Sequence, residues 1–104
     1  MTVNRGVVDA LQVVAEPRRR EILRLVWRRE LSAGEIASRF DVSFAAVSQH
    51  LGVLRDAGFV SMRRDGRARL YRAERTALGP LRTTLEKMWG ASLDKLVELI
   101  EEED

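Results

Sequence analysis

Residues 30–57 read ELSAGEIASRFDVSFAAVSQHLGVLRDA, and this stretch decides the fold. It divides into two short helices and a tight turn. Ser32 and Glu35 have capping-box spacing: the Ser32 hydroxyl accepts from the Glu35 amide, and the Glu35 carboxylate accepts from the Ser32 amide. A first helix is therefore predicted over Ala33–Phe40. Asp41-Val42-Ser43 is the turn, and Ser43 is a good N-cap for a second helix over Phe44–Ala57. Helix, short turn, helix is a unit that many proteins use to place a helix in the DNA major groove.

The second helix sorts its residues by face. At about 100° per residue, Val47, Leu51 and Leu54 form one apolar stripe, while Ala45, Ser48, Gln49, Gly52 and Asp56 lie opposite. His50 sits beside the stripe and Phe44 near its other edge. Ser48 and Gln49 thus project from the first turns, where a recognition helix meets bases, and Gln can bond bidentately to adenine. The competing reading is an ordinary amphipathic helix with solvated polar residues.

Working outward, 104 residues allow one small domain with a single core. At 45% hydrophobic and 33% charged, the chain is globular rather than disordered. No apolar run is long enough to span a bilayer. The N-terminal apolar run is broken by Asp9 and Gln12, which argues against a cleavable signal. A cytoplasmic, nucleoid-associated location is the expectation. The absence of Cys excludes disulfides and thiolate metal sites.

The net charge of +2 is unevenly placed. Residues 1–75 hold 15 Arg and 9 acids, net +6; residues 76–104 hold 3 basic and 7 acidic residues, net −4. A basic body with an acidic tail points to a polyanion partner for the first part. Genome base composition explains 16 Arg against 2 Lys, but not the asymmetry.

Val7–Ala15 is predicted as a first helix, apolar on more than one side and in need of a partner. Pro17 suits the first position of a second helix, running to about Arg29. Its face of Ile22, Leu23, Val26 and Trp27 is buried; Leu25 leans elsewhere. Arg18, Arg19 and Arg20 occupy its first turn, where the helix dipole disfavours cations. Either Glu16, Glu21 and solvent hold them, or a phosphate does. Gly58 stops the helix of 44–57. Phe59–Arg63 reads as a strand, Arg64-Asp65-Gly66-Arg67 as a hairpin turn, and Ala68–Ala73 as the returning strand. Which face is inward stays open: Leu70 with Arg72, or Arg69 with Tyr71. Residues 62–75 carry six Arg against Asp65 and Glu74. The final helix begins near Leu78, and Leu81, Leu85, Met88, Trp89, Leu93, Leu96 and Ile100 recur at three- and four-residue steps. That stripe suggests packing against a second chain beside Val7–Ala15.

Taken together, VVAEPRRREILRLV, LSAGEIASRF, VSQHLGVLRDAGFV and RRDGRARLYR resemble the winged helix-turn-helix repressors of the ArsR family over about residues 7–89. The resemblance implies a cytoplasmic homodimer that binds operator DNA, with the first and last helices at the dimer interface. It also implies a frequent release of DNA on metal binding. Here the chain departs from the pattern: Ser32 and Gly34 stand where metal-sensing members carry a Cys-x-Cys. Serine is a poor ligand for soft ions and glycine offers none. The last helix has no His, and its terminal acids lack chelating spacing.

The expected fold is mainly α with a small β-hairpin: a winged helix-turn-helix of five helices plus a two-stranded wing, in one domain spanning 1–104. Its parts are the first two helices (7–29), the helix-turn-helix (30–57), the wing (58–75) and a long dimerisation helix (77–101). The expected function is a sequence-specific, homodimeric repressor on a pseudo-palindromic operator of double-stranded DNA, without metal or cofactor. An unidentified small-molecule inducer is compatible with it. The alternative is a protein-interaction or architectural module. The expected DNA-facing residues are Ser43, Phe44, Ala45, Ser48, Gln49, His50, Arg55, Arg63, Arg64, Arg67 and Arg69. The dimer residues are Val7, Val8, Leu11, Leu81, Leu85, Met88, Trp89, Leu93 and Leu96. No enzyme is expected. His50, the one His, lies about 200° around the helix from Ser48, so the two cannot pair as base and nucleophile.

Overall fold

In the computed structural model, backbone is described for residues 5–90 and side chains for residues 9–90. Helix α1 spans Arg5–Ala15 and α2 Pro17–Leu25. Between them Glu16 is extended, and its carboxylate accepts from the Arg19 amide at 3.0 Å, capping α2 ahead of Pro17. Strand β1 is Leu31–Ser32, α3 is Ala33–Ala37 and α4 is Phe44–Asp56. Strands β2 (Val60–Asp65) and β3 (Ala68–Ala73) form the hairpin; a 3-10 turn over Arg75–Leu78 then leads to α5, described over 80–90.

The two-stranded wing, β2 and β3, is joined by a third strand, giving a sheet in the order β1-β3-β2, antiparallel throughout. Leu31 and Ser32 pair with Tyr71 and Leu70. Two residues are too short a run to show alternation in a sequence; only the distant β3 turns them into a strand.

Helix α2 stops four residues before the expected Arg29. Val26 leaves the helix, and its carbonyl accepts from the Ala73 amide of β3 at 3.0 Å. The chain is thereby drawn to the sheet, and Trp27, Arg28 and Arg29 lie in the connection. Leu25, expected to lean away, is buried at 9% exposure.

The caps follow the sequence. Ser32 and Glu35 make both capping-box bonds, at 3.0 and 3.1 Å. The helix they start is short, and residues 38–43 turn toward α4. Ser43 accepts from the Ala46 amide at 3.1 Å and starts α4. At its far end Gly58 takes φ +81°, with the Phe59 amide on the Leu54 carbonyl and the Gly58 amide on the Arg55 carbonyl, both at 2.9 Å. These are the two bonds of a Schellman termination. It buries Phe59 beside Leu54 and aims the chain into β2.

The core lies between α2, α3, α4 and the inner sheet face. Ile22, Leu23, Val26, Ile36 and Leu54 are at 0% exposure, Val47 and Leu51 at 1%. Each such side chain contributes about 1.5–3 kcal/mol on burial. The sheet places Val60 against Ala73 and Met62 against Tyr71, with Leu31 on the far side of Tyr71. Tyr71 and Ala73 are buried, which settles the hairpin face: Tyr71 points in, and Leu70 and Arg72 point out. From α5, Leu85 closes the core at 2% exposure, and Trp89 meets Trp27 edge to face, centroids 4.9 Å apart.

Candidate nucleic-acid interface

Helix α4 buries Val47, Leu51 and Leu54, so its rotation about its axis is fixed by the core. The same rotation exposes Ala45, Ser48, Gln49, Gly52 and Arg55. Phe44, at the first turn, is 58% exposed, far more than a phenyl ring in a core. Ser43 is exposed, and its hydroxyl oxygen is occupied as the cap.

Gly52 is the informative residue on that face. Glycine in a helix interior costs about 1 kcal/mol relative to alanine. A Cβ added to Gly52 would meet nothing within 4 Å. Among the described residues nothing requires a glycine there. The helix backbone at Gly52 is thus open to close approach from outside. The signal in the sequence is a glycine inside a 13-residue helix, one turn on from Gln49.

The wing begins where α4 ends. Asp65 pairs with Ala68, so the turn is the two residues Gly66-Arg67, with Gly66 at φ +61°. A positive φ at the first central position with none at the second, Arg67, is the type II′ pattern. The turn therefore starts one residue later than Asp-Gly suggested, and Asp65 belongs to the strand. This register sets Arg64 directly opposite Arg69. Like charges across a ladder are destabilising. Both are exposed, as is Arg67 at the tip, and none of the three has an ion pair among the described residues. A polyanion would relieve that repulsion.

Two of the expected contact residues are engaged within the protein. Arg63 donates to both carboxylate oxygens of Glu30, at 2.7 and 3.1 Å, reaching across the outer sheet face. The Arg63 guanidinium holds the Glu30 carboxyl below its usual range. His50 faces the N-terminus of α2: Nε2 is 3.8 Å from a Glu16 oxygen, and Nδ1 is buried with no hydrogen-bond partner among the described residues. His50 thus belongs to the packing edge, not the outer face.

The arginines at the start of α2 have a use that neither sequence reading foresaw. Arg19 donates to the carbonyls of Val13 (2.7 Å) and Gln12 (3.2 Å); Arg20 donates to those of Val14 (2.9 Å) and Ala15 (2.8 Å). These are the last four carbonyls of α1, the ones a helix leaves unsatisfied at its negative end. Arg18 is exposed, 4.0 Å from Glu16.

At the expected dimer seam, Leu11 on α1 and Met88 on α5 are 47% and 53% exposed. Leu85 lies in the chain's own core, and Leu81 and Trp89 pack against it. Leu85 is 2% exposed within the single chain; a helical repeat does not distinguish a chain's own core from a partner's. Val7, Val8, Leu93, Leu96 and Ile100 lie outside the residues whose side chains are described. Among the described residues no helix is long and apolar enough to cross a membrane, and no group of three His, Cys, Asp or Glu could hold a metal ion.

Comparison with known proteins agrees with this geometry. The family described as "Bacterial regulatory protein, arsR family" matches residues 16–62, from the α2 cap into β2. The chain is 38% identical to the HTH-type transcriptional regulator Rv2034 of Mycobacterium tuberculosis, over 99% of this chain and 96% of that protein. It is 33% identical to the transcriptional repressor SdpR of Bacillus subtilis, over 67% of this chain and 78% of that one. Among solved structures it is similar to reduced HlyU from Vibrio cholerae, with a TM-score of 0.71 at 33% identity, covering 81% of this chain and 88% of that one.

Proposed function

The chain belongs to the ArsR family of bacterial regulators and is a DNA-binding transcriptional regulator, and on that premise we propose that it acts as a cytoplasmic homodimeric repressor on a pseudo-palindromic operator. Two α4 helices, about 34 Å apart, enter successive major grooves on one face of the duplex. Phe44, Ala45 and Gln49 meet base edges. Gln49 is suited to a bidentate adenine contact and Phe44 to a thymine methyl. Gly52 lets the helix backbone approach the groove wall. Ser43, Ser48 and Arg55, with Arg64, Arg67 and Arg69 of the wing, hold phosphates or reach the minor groove.

One observation carries the reading above the others: the core-fixed face of α4 exposes an otherwise costly glycine, beside a wing that opposes two arginines across one ladder position. A protein-docking module has use for neither. The homodimer is supported by the exposed Leu11 and Met88. The reading without metal sensing is supported at the Ser32 and Gly34 positions: Ser32 is taken up in capping with Glu35, and Gly34 offers no side chain.

Selection from random duplexes tests the reading. The wild type is expected to enrich a two-fold-symmetric motif with half-sites one helical turn apart. Gln49→Ala is expected to lose about 1–3 kcal/mol of base discrimination at one position per half-site. No enriched motif, or an unchanged preference in the variant, overturns the assignment. Sedimentation of Leu11→Asp/Met88→Asp should give monomers; an unchanged dimer removes those two residues from the seam.

A further inference from the structure

A cleft of about 720 Å³ opens on another part of the molecule, between the end of α2, the connection after it and α5. Leu25 and Trp27 form its floor, at 9% and 5% exposure, and Trp89 forms one wall. Its rim is cationic. Arg28, Arg29, Arg39 and Lys87 all line it, all are exposed, and none makes an ion pair among the described residues. The remaining charges, Arg24 and Glu86, are paired with Glu21 and Arg82.

An apolar floor that includes an indole, under guanidinium and ammonium groups with no ion pair among the described residues, matches one ligand chemistry. The volume falls within the range of about 300–1,000 Å³ for small-molecule sites. A planar apolar body would lie against Leu25 and the indoles. A carboxylate would take charge-assisted hydrogen bonds, bidentate from an arginine. Neutral apolar compounds would leave the cations unused, and inorganic anions would leave the floor wet. We propose that this cleft binds an organic anion with an aromatic or similarly apolar body, and that such a compound is the protein's effector. The effector role rests on the reading of the chain as a DNA regulator; the binding site does not. The connection to DNA binding runs through Arg39, which sits in the turn between α3 and α4, so one ligand would touch both α5 and the helix-turn-helix.

The chain has two tryptophans, and both line the cleft. Their two indole N–H resonances therefore report on it. The full chain, without DNA, would be titrated with 1-naphthoate and with the uncharged 1-naphthylmethanol while both signals are followed. Saturable shifts are expected with naphthoate, and binding at least about tenfold weaker for the alcohol, the order lost with a charge-assisted hydrogen bond. Arg28→Gln and Lys87→Gln, both at exposed positions, should each weaken naphthoate binding severalfold and leave the alcohol unaffected. Absent shifts, as when the acidic C-terminal segment or a second copy fills the cleft, overturn the site. Equal binding of acid and alcohol overturns the ligand class. A second titration uses the protein on a selected duplex. A changed DNA affinity supports the effector role, and shifts without such a change overturn it. Failure of the chain to bind any duplex at low salt, with or without naphthoate, marks instead a failure of the DNA reading.

Discussion

Two clusters of three arginines look alike as text: Arg18-Arg19-Arg20 at the start of α2, and Arg64, Arg67 and Arg69 at the wing tip. Their physical situations are opposite. Arg19 and Arg20 fold back and satisfy the four last carbonyls of α1. The wing arginines meet no anion among the described residues, and two of them face each other. The first cluster completes the fold. The second carries repulsion that no anion among the described residues relieves. The lesson is that a run of positive charge does not identify a partner; the state of its hydrogen bonds and neighbours does.

The contrast can be broken most strongly at Arg20. Arg20→Met should lower stability by about 1.5–3 kcal/mol, the worth of a charged hydrogen bond in a partly buried setting. Urea denaturation measures it, and the folded fraction should keep its affinity for duplex DNA. A stable variant with weakened DNA binding would reverse the roles of the two clusters. Gly52→Ala probes the DNA-facing side with a smaller effect. It should raise stability by about 0.5–1 kcal/mol and still weaken duplex binding, a divergence that thermal melting and anisotropy read separately. Tighter binding by this variant would remove the close-approach argument. Acid titration probes the pairs that belong wholly to the fold. Arg63 lowers the Glu30 carboxyl, the hydrogen bonds with Ser32 lower Glu35, and Arg82 lowers Glu86. Depressed carboxyls stabilise the fold above their unfolded values near 4.5 and lose that contribution as pH falls through the lower folded values. The urea midpoint should therefore hold between pH 7 and 5 and drop below about 4.5, less so in Glu30→Gln. None of the three groups is buried, so this is the smallest of the effects.

Much of this was legible in the sequence because it is local. The capping box of Ser32 and Glu35, the Ser43 cap, the Gly58 stop and the buried stripe of α4 each depend on residues within about one turn of each other. What escaped depends on distant partners. Strand β1 exists because Tyr71 lies beside Leu31. Helix α2 ends early because Ala73 claims the Val26 carbonyl. Arg20 reaches carbonyls five and six residues back, which requires the sharp bend at Glu16. Leu85 obeys the same periodicity in its own core as it would in a partner's. The Asp65-Gly66 pair signalled a hairpin, yet the register came from pairing along the whole ladder.

The most direct test is the salt dependence of duplex binding by the wild type and by Arg64→Gln/Arg69→Gln. Each lost phosphate contact flattens the plot of log affinity against log salt by about 0.9. The double variant should bind more weakly, with a slope shallower by roughly 1.8 per subunit, and melt no lower than the wild type. An unchanged slope, or a loss of stability in place of a loss of affinity, would contradict the assignment of these arginines to DNA.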